Sequence, residues 1–330
     1  MEIIRTHAYA RAGLLGNPSD GYFGRTIAVP VRNFAASVVL YEWPELEIML
    51  APQDRCSFNS IGDLCTDVKM HGYFGGLPLV KATVRKFTDY CAKHELTLHK
   101  RNFSLRYDST IPRQVGMAGS SAIITATLRA LMKFYGVAIP RETQPNLVLA
   151  VEREELGIAG GLQDRVCQVY ETLVYMNFDR DLIESRGYGI YETLDPALLP
   201  PLFMAYDASL SEPSGIVHSN IRQRWDAGDV NVHRAMESLA SCAEQGAAAL
   251  KAGDHARFSE LIDANFEVRR GILNLDPRHL AMVELARKHG ASAHYAGSGG
   301  SIIGAYRDEA MFAALEGAFA EMGCRVIKPL

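Results

Sequence analysis

Pro112-Arg113-Gln114-Val115-Gly116-Met117-Ala118-Gly119-Ser120-Ser121 feeds straight into the amphipathic segment Ala122 to Tyr135. Glycine lets a backbone approach a ligand closely, and the first N–H groups of a helix have no partner within it. The helix macrodipole adds partial positive charge at the same end, so such a cradle fits phosphate oxygens. Ile123, Ile124, Leu128, Leu131, Met132 and Tyr135 recur at three- and four-residue spacing. That spacing predicts a helix, with Ser120 or Ser121 as N-cap and Gly136 as the C-terminal stop. Taken alone, the passage reads first as an ordinary capped helix after a tight turn.

The 330 residues exceed a comfortable single core, so two domains in contact are expected, with a boundary in the turn-rich stretch Glu184 to Pro201. We place it at 185/186, giving domains 1–185 and 186–330. With 48% apolar and 22% charged residues the composition is that of a soluble globular protein. No apolar run has the length of a membrane span, and Met1-Glu2-Ile3-Ile4-Arg5 lacks the features of a signal peptide. A cytoplasmic protein without a membrane partner is therefore expected. Cys56, Cys65, Cys91, Cys167, Cys242 and Cys324 are far apart and form no Cys-x-x-Cys pair, so they read as reduced, mostly buried thiols. The net charge of −4 and the dispersed Lys and Arg argue against a nucleic-acid partner. Walker, Rossmann, serine-hydrolase and zinc-protease signatures are all missing.

Short strands are expected at Ile27 to Val31, Ala35 to Leu40 and Glu47 to Leu50, then a helix over Leu79 to His94 and a strand pair within Thr97 to Tyr107. A helix from Pro145 to Gly157 and a tight turn at Gly160-Gly161 follow. The second half reads as strands at Leu202 to Tyr206, Ala293 to Ala296, Ile302 to Tyr306 and Arg325 to Ile327, with helices near Val230 to Ala252, His255 to Arg270, Arg278 to His289 and Glu309 to Met322. Strands and helices mix without strict alternation, which favours α+β.

Two more glycine-rich passages flank the central one: Ala10-Arg11-Ala12-Gly13-Leu14-Leu15-Gly16-Asn17-Pro18-Ser19-Asp20 near the start and Ala296-Gly297-Ser298-Gly299-Gly300-Ser301 near the end. In order and spacing the three resemble the motifs of the GHMP small-molecule kinases, which bind ATP through the central one. Within that superfamily the chain is most similar to plant-type glucuronokinase. The segments that carry this are 14–20, 111–114, 119–122, Gly161-Leu162-Gln163-Asp164-Arg165-Val166, Val217-His218-Ser219 and Arg222-Gln223-Arg224-Trp225. The resemblance covers nearly the whole chain.

It implies the two-domain GHMP kinase fold, with a ribosomal-protein-S5-like N-terminal domain, a ferredoxin-like α/β sandwich at the C-terminus, and the active site between them. It further implies an ATP-dependent sugar 1-kinase acting on D-glucuronate. Pro112, Gly116, Met117, Ala118, Gly119, Ser120 and Ser121 would bind ATP. Ser121 and Glu152 occupy the positions of the family's Mg²⁺ ligands, and hydroxyl and carboxylate are hard donors suited to that ion. Read without the family, Ser121 is a cap and Glu152 a solvated helix face.

Asp164 follows Glu152 by twelve positions, as the catalytic aspartate follows the magnesium glutamate in galactokinase, and would accept or position the acceptor hydroxyl's proton. It can also serve as the N-cap of a helix through Val166 to Tyr170. Arg11 matches the first motif's basic residue, beside the aspartate and the transferred phosphoryl. Asp20 matches galactokinase's sugar-hydroxyl ligand, or is a plain turn residue. Gly297, Gly299 and Gly300 match the third motif, or form a hairpin turn.

Galactokinase has Glu-His where this chain has Asn17-Pro18, and the central loop is about one residue longer than the family pattern, which moves the expected substrate away from galactose. A uronic acid needs a further cation, with Arg113, Arg165, Arg222 and Arg224 as candidates and His218 or Ser219 as added contacts. The substrate set is thus Asp20, Arg11, Asp164, Gly299 and Arg222. The alternatives are a kinase of galacturonate, a neutral hexose or a heptose phosphate, a non-catalytic sugar-responsive protein, or a scaffold. A monomer or a homodimer fits equally.

Overall fold

The computed structural model describes residues 2–49, 75–207 and 221–329. The first sheet is organised on two long strands, β1 (Ile3–Leu15) and β2 (Arg25–Glu42), paired antiparallel along nearly their whole length. In β1 burial alternates as far as Ala8 and is then unbroken from Ala10 to Leu15. One face of the sheet is therefore covered at the start of the strand and both faces at its end. The two strands expected at 27–31 and 35–40 are one: Tyr9 pairs with Ala35 and Ala10 with Val31, so residues 32–34 bulge out without ending the strand.

A short 3₁₀ turn (Ser19–Tyr22) separates β1 from β2. β3 (Glu47–Met49) pairs parallel with β4 (Phe103–Ser109), and β4 pairs with the second half of β2. Thr97 to Tyr107 thus holds a single strand rather than a pair. The first half of β2 pairs with β5 (Val174–Asn177), which pairs in turn with β6 (Ile190–Thr193).

Helices α1 (Gly76–Lys93) and α2 (Gly119–Tyr135) pack together, and α2 lies on β1 and β2. Small and apolar side chains bury α2 nearly all round: Ala122, Ile124, Ala126, Leu128, Ala130 and Leu131 are each at most 1% exposed. Gly136 closes it in the left-handed region at φ 66°, donating to Lys133 and Met132 carbonyls. Its N-terminus departs from expectation. The helix begins at Gly119 behind Ala118, a left-handed residue at φ 61°, and no side chain caps it.

α3 (Gln144–Ala150) runs on into one π-helical turn (Val151–Glu155) where a single helix to Gly157 was expected. α4 (Gln163–Tyr170) starts one residue before Asp164, which is a first-turn residue and not its cap. α5 (Arg180–Arg186) lies between β5 and β6.

The second sheet has the order β10-β7-β9-β8, antiparallel throughout, from β7 (Leu202–Tyr206), β8 (His294–Tyr295), β9 (Ser301–Ala305) and β10 (Arg325–Ile327). α7 (His255–Ile272), α8 (Pro277–Lys288) and α9 (Glu309–Glu321) pack on it, and α6 (Val230–Ala252) packs on α7. Asp229, Asp254, Asp276 and Asp308 cap these four helices through their side chains. α6 also packs on β1 and β2, so the larger apolar core continues from one sheet into the other. The sheets change over between Thr193 and Leu202. A division at 185/186 falls within α5 and parts β6 from its partner β5. Cys91, Cys167, Cys242 and Cys324 are buried free thiols, and Cys56 and Cys65 lie outside the described residues.

Candidate active site

The three glycine passages meet around one side chain. Arg11 sits in the fully covered half of β1, only 5% exposed. Its Nε is ion-paired with Asp164, and its Nη1 donates to the carbonyls of Gly116 at 2.7 Å and Ala296 at 3.0 Å. Its main-chain N–H donates to Met117 at 3.2 Å. A carboxylate and oriented carbonyls thus replace the water that burial strips from this guanidinium.

Residues 297–300 lie against the phosphate-type loop as bare backbone. A Cβ on Gly297 would run into the Gly116 carbonyl, and one on Gly116, at φ 71°, would lie 2.6 Å from the Gly299 carbonyl. Ser301 Oγ donates to the Val115 carbonyl at 2.6 Å. Arg269 of α7 reinforces the junction, donating to Asn17 Oδ1 at 2.7 Å and to the Gly297 carbonyl at 2.9 Å. Burial, with Arg11 nearby, depresses its pKa to about 10. As one of the adjacent pair Arg269-Arg270 near a helix end, it looks in the sequence like a surface charge.

In the loop itself Pro112, Gly116, Ala118, Gly119 and Ser120 are partly accessible, while Met117 is 1% exposed and points into the core. The Ala118 carbonyl accepts from Gln168 at 2.8 Å, tying the loop to α4. The two serines differ in their partners. Ser121 is fully buried and its hydroxyl donates back to the Ala118 carbonyl at 3.2 Å. Ser120 donates to Glu152 Oε1 at 2.6 Å.

Glu152 is no solvated helix face: the π-helical turn points it inward, fully buried. Its other oxygen receives Nε of Arg165 at 2.7 Å and also Nη2. Arg165 further reaches the Gly161 carbonyl at 2.8 Å and Asp164 Oδ2 at 3.3 Å. Burial opposes its charge, but Glu152 and Asp164 outweigh that, and its pKa lies above the usual arginine value. Among the described residues no three His, Cys, Asp or Glu side chains gather as a metal cage. Ser120 Oγ and Glu152 Oε1 nevertheless form a pair of hard oxygen donors beside the loop, and such a pair suits Mg²⁺ completed by phosphate and water.

Asp20 borders a cavity walled by Pro18, Tyr22, Arg153, Gly160 and Arg222. Its carboxylate accepts from the Gln163 N–H at 3.0 Å, and a Cβ on Gly161 would collide with it, so the glycine turn admits this approach. Burial raises its pKa to about 6 against that hydrogen bond, with Asp164 adding to the rise.

The arginine candidates separate here. Arg165 is consumed by the two carboxylates, and Arg224 by Asp229 at 2.9 Å and the Ile272 carbonyl at 2.8 Å. Arg113 is exposed and is not on the cavity wall. Arg222 does line the cavity, half-exposed and paired with Asp226 at 3.1 Å. Arg153, absent from the sequence-based candidates, lines it as well. His218 and Ser219 lie outside the described residues.

Residues 78–172 match the model of the GHMP kinases N terminal domain. Glucuronokinase 1 of Arabidopsis thaliana is 44% identical over 91% of this chain and 84% of its own length. Probable glucuronokinase 2 of the same plant is 42% identical over the same shares. Among solved structures, phosphomevalonate kinase of Streptococcus pneumoniae superposes with a TM-score of 0.76 at 17% identity, over 99% of this chain and 98% of that one, a likeness of fold. The shared length, the motif order and the two-sheet architecture together place the chain: it belongs to the GHMP kinase superfamily, in the plant-type glucuronokinase group.

Proposed function

We propose that the protein is an ATP-dependent sugar 1-kinase converting ATP and D-glucuronate to ADP and 1-phospho-D-glucuronate. The observation that carries this is the single Arg11 side chain joining Asp164, the phosphate-type loop and the third glycine motif. Phosphoryl transfer asks a protein mainly to hold phosphates, neutralise charge and align the acceptor.

The anomeric oxygen attacks the γ-phosphorus as the bond to the ADP oxygen breaks, and Asp164 orients the hydroxyl and takes its proton. Arg11 stabilises charge on the transferred group and holds the Asp164 carboxylate in place. Backbone N–H groups of 116–121 and the start of α2 receive the ATP phosphates. Glu152, with Ser121 or the neighbouring Ser120, would hold Mg²⁺, which would neutralise phosphate charge when bound. Asp20 takes sugar hydroxyls, with Arg222 and Gly299 beside the acceptor.

We place the enzyme in the cytoplasm as a monomer or homodimer with no nucleic-acid partner. No helix among the described residues is long and apolar enough to cross a membrane. We further propose that the domain division lies in the connection between Thr193 and Leu202.

An acceptor panel of glucuronate, galacturonate, glucose, galactose and a heptose phosphate, with ATP and Mg²⁺ and ADP release as readout, tests the assignment. Glucuronate is expected to exceed glucose in kcat/KM by roughly 100-fold. Preference for another acceptor favours a different sugar kinase, and absence of ADP release with every acceptor favours a non-catalytic protein.

Asp20 adds a pH signature. Its pKa of about 6 means that the ionised form, needed to accept sugar hydroxyls, is lost as pH falls through that value. kcat/KM for the sugar should drop about tenfold per pH unit below the inflection. Asp20→Asn should lower the plateau and abolish the inflection, and an inflection that persists in the variant would assign it to another group.

A further inference from the structure

We propose that Arg153 selects the uronic acid by receiving its carboxylate, an inference that rests on the glucuronate assignment above. The charges around the cavity are otherwise accounted for. Arg11 is taken by Asp164 and two carbonyls, and Arg165 by Glu152 and Asp164. Arg222 is taken by Asp226 and the Gly21 carbonyl. Arg269 is enclosed by Asn17 and the carbonyls of Tyr295 and Gly297. Arg153 lines the same cavity, and its guanidinium donates to the Gly160 carbonyl but makes no ion pair among the described residues.

The acidic neighbours of Arg153 in the π-helical turn are engaged elsewhere. Glu152 holds Arg165, while Glu154 and Glu155 share Lys86 at 2.7 and 3.3 Å. A cation in that setting gains from an incoming carboxylate, and a planar fork matches a carboxylate's two oxygens. The placement also divides the labour of the turn. Glu152 points inward to Ser120 and Arg165, and Arg153 points to the cavity that Asp20 borders. A hexose ending in a hydroxymethyl group offers the same ring but nothing to neutralise this guanidinium.

Glucuronate and glucuronamide, compared as acceptors in the wild type, Arg153→Met and Arg153→Lys, form a cycle that removes the charge from either side. The wild type should show a KM for the amide higher by roughly 30-fold, the size of a charge-assisted hydrogen bond. In Arg153→Met the two KM values should fall within about threefold of each other, with the KM for ATP unchanged. Arg153→Lys, which keeps the charge and loses the fork, should give an intermediate ratio and supplies the test if the methionine variant does not fold. The ratio within one variant separates recognition from a general structural role. Retention of the full wild-type preference for the acid in both variants would overturn the inference, and its loss in Arg222→Met alone would transfer the role there. A wild type that phosphorylates neither compound would overturn the glucuronate assignment itself, and this inference with it.

Discussion

Asp164→Asn should lower kcat by roughly 100-fold or more, the usual worth of a positioned general base. The substitution is isosteric, so the ring of contacts around Asp164 survives in outline. What it removes is the negative charge shared by Arg11 and Arg165 and the acceptor for the hydroxyl proton. ATP affinity should change little, because the loop at 116–121 and the start of α2 do not depend on this carboxylate for their backbone geometry. The loop is held by Gln168 on the Ala118 carbonyl, by Ser301 on the Val115 carbonyl and by Arg11 on the Gly116 carbonyl. Steady-state kinetics with a calorimetric ATP titration separates the two quantities, and a kcat close to wild type would remove Asp164 from its role.

Glu152→Gln should act on stability and on metal dependence together. Glu152 is fully buried and is the principal counter-charge of Arg165, itself 4% exposed. Removing Glu152's charge leaves the buried guanidinium only Asp164, which Arg11 shares, at a cost of up to about 3–5 kcal/mol. In a chain of this size that is a fall in Tm of roughly 5–10 °C. Ser120 would also lose its charged acceptor, and the Mg²⁺ midpoint should rise about tenfold or more. Replacing Arg165 by Met in the same variant should recover part of the Tm but not the Mg²⁺ midpoint. An unchanged Tm in Glu152→Gln would contradict the structural pairing, and an unchanged Mg²⁺ titration would contradict the metal assignment.

The strongly patterned parts of the fold are readable from the sequence. Helices α6 to α9 lie within a few residues of expectation, because an aspartate caps each start and a glycine lies at or just past the end of α6, α8 and α9. The three glycine passages, far apart in sequence, fall at one junction, which their motif order implied.

Illegible features depend on which way one side chain points. Ser120 and Ser121 cannot be distinguished from periodicity because α2 is buried nearly all round, so no exposed stripe sets its phase. Without the family Glu152 reads as a solvated helix face; it lies instead in the π-helical turn Val151–Glu155, fully buried, and no residue type signals that turn. Arg165 neighbours Asp164 on a helix, where adjacent residues point apart, so its contact with Asp164 does not follow from the sequence. Its length lets the guanidinium return to Asp164 and cross to Glu152. Arg269 meets its partners only through tertiary contacts with residues 17, 295 and 297.

The most direct test of the central claim is the structure of the reaction product. After incubation with ATP, Mg²⁺ and D-glucuronate, phosphorus–proton correlation NMR should show one new phosphate ester coupled to the anomeric proton, formed in step with ADP. A phosphate on any other hydroxyl, or ATP turnover without a phosphorylated sugar acid, would contradict it.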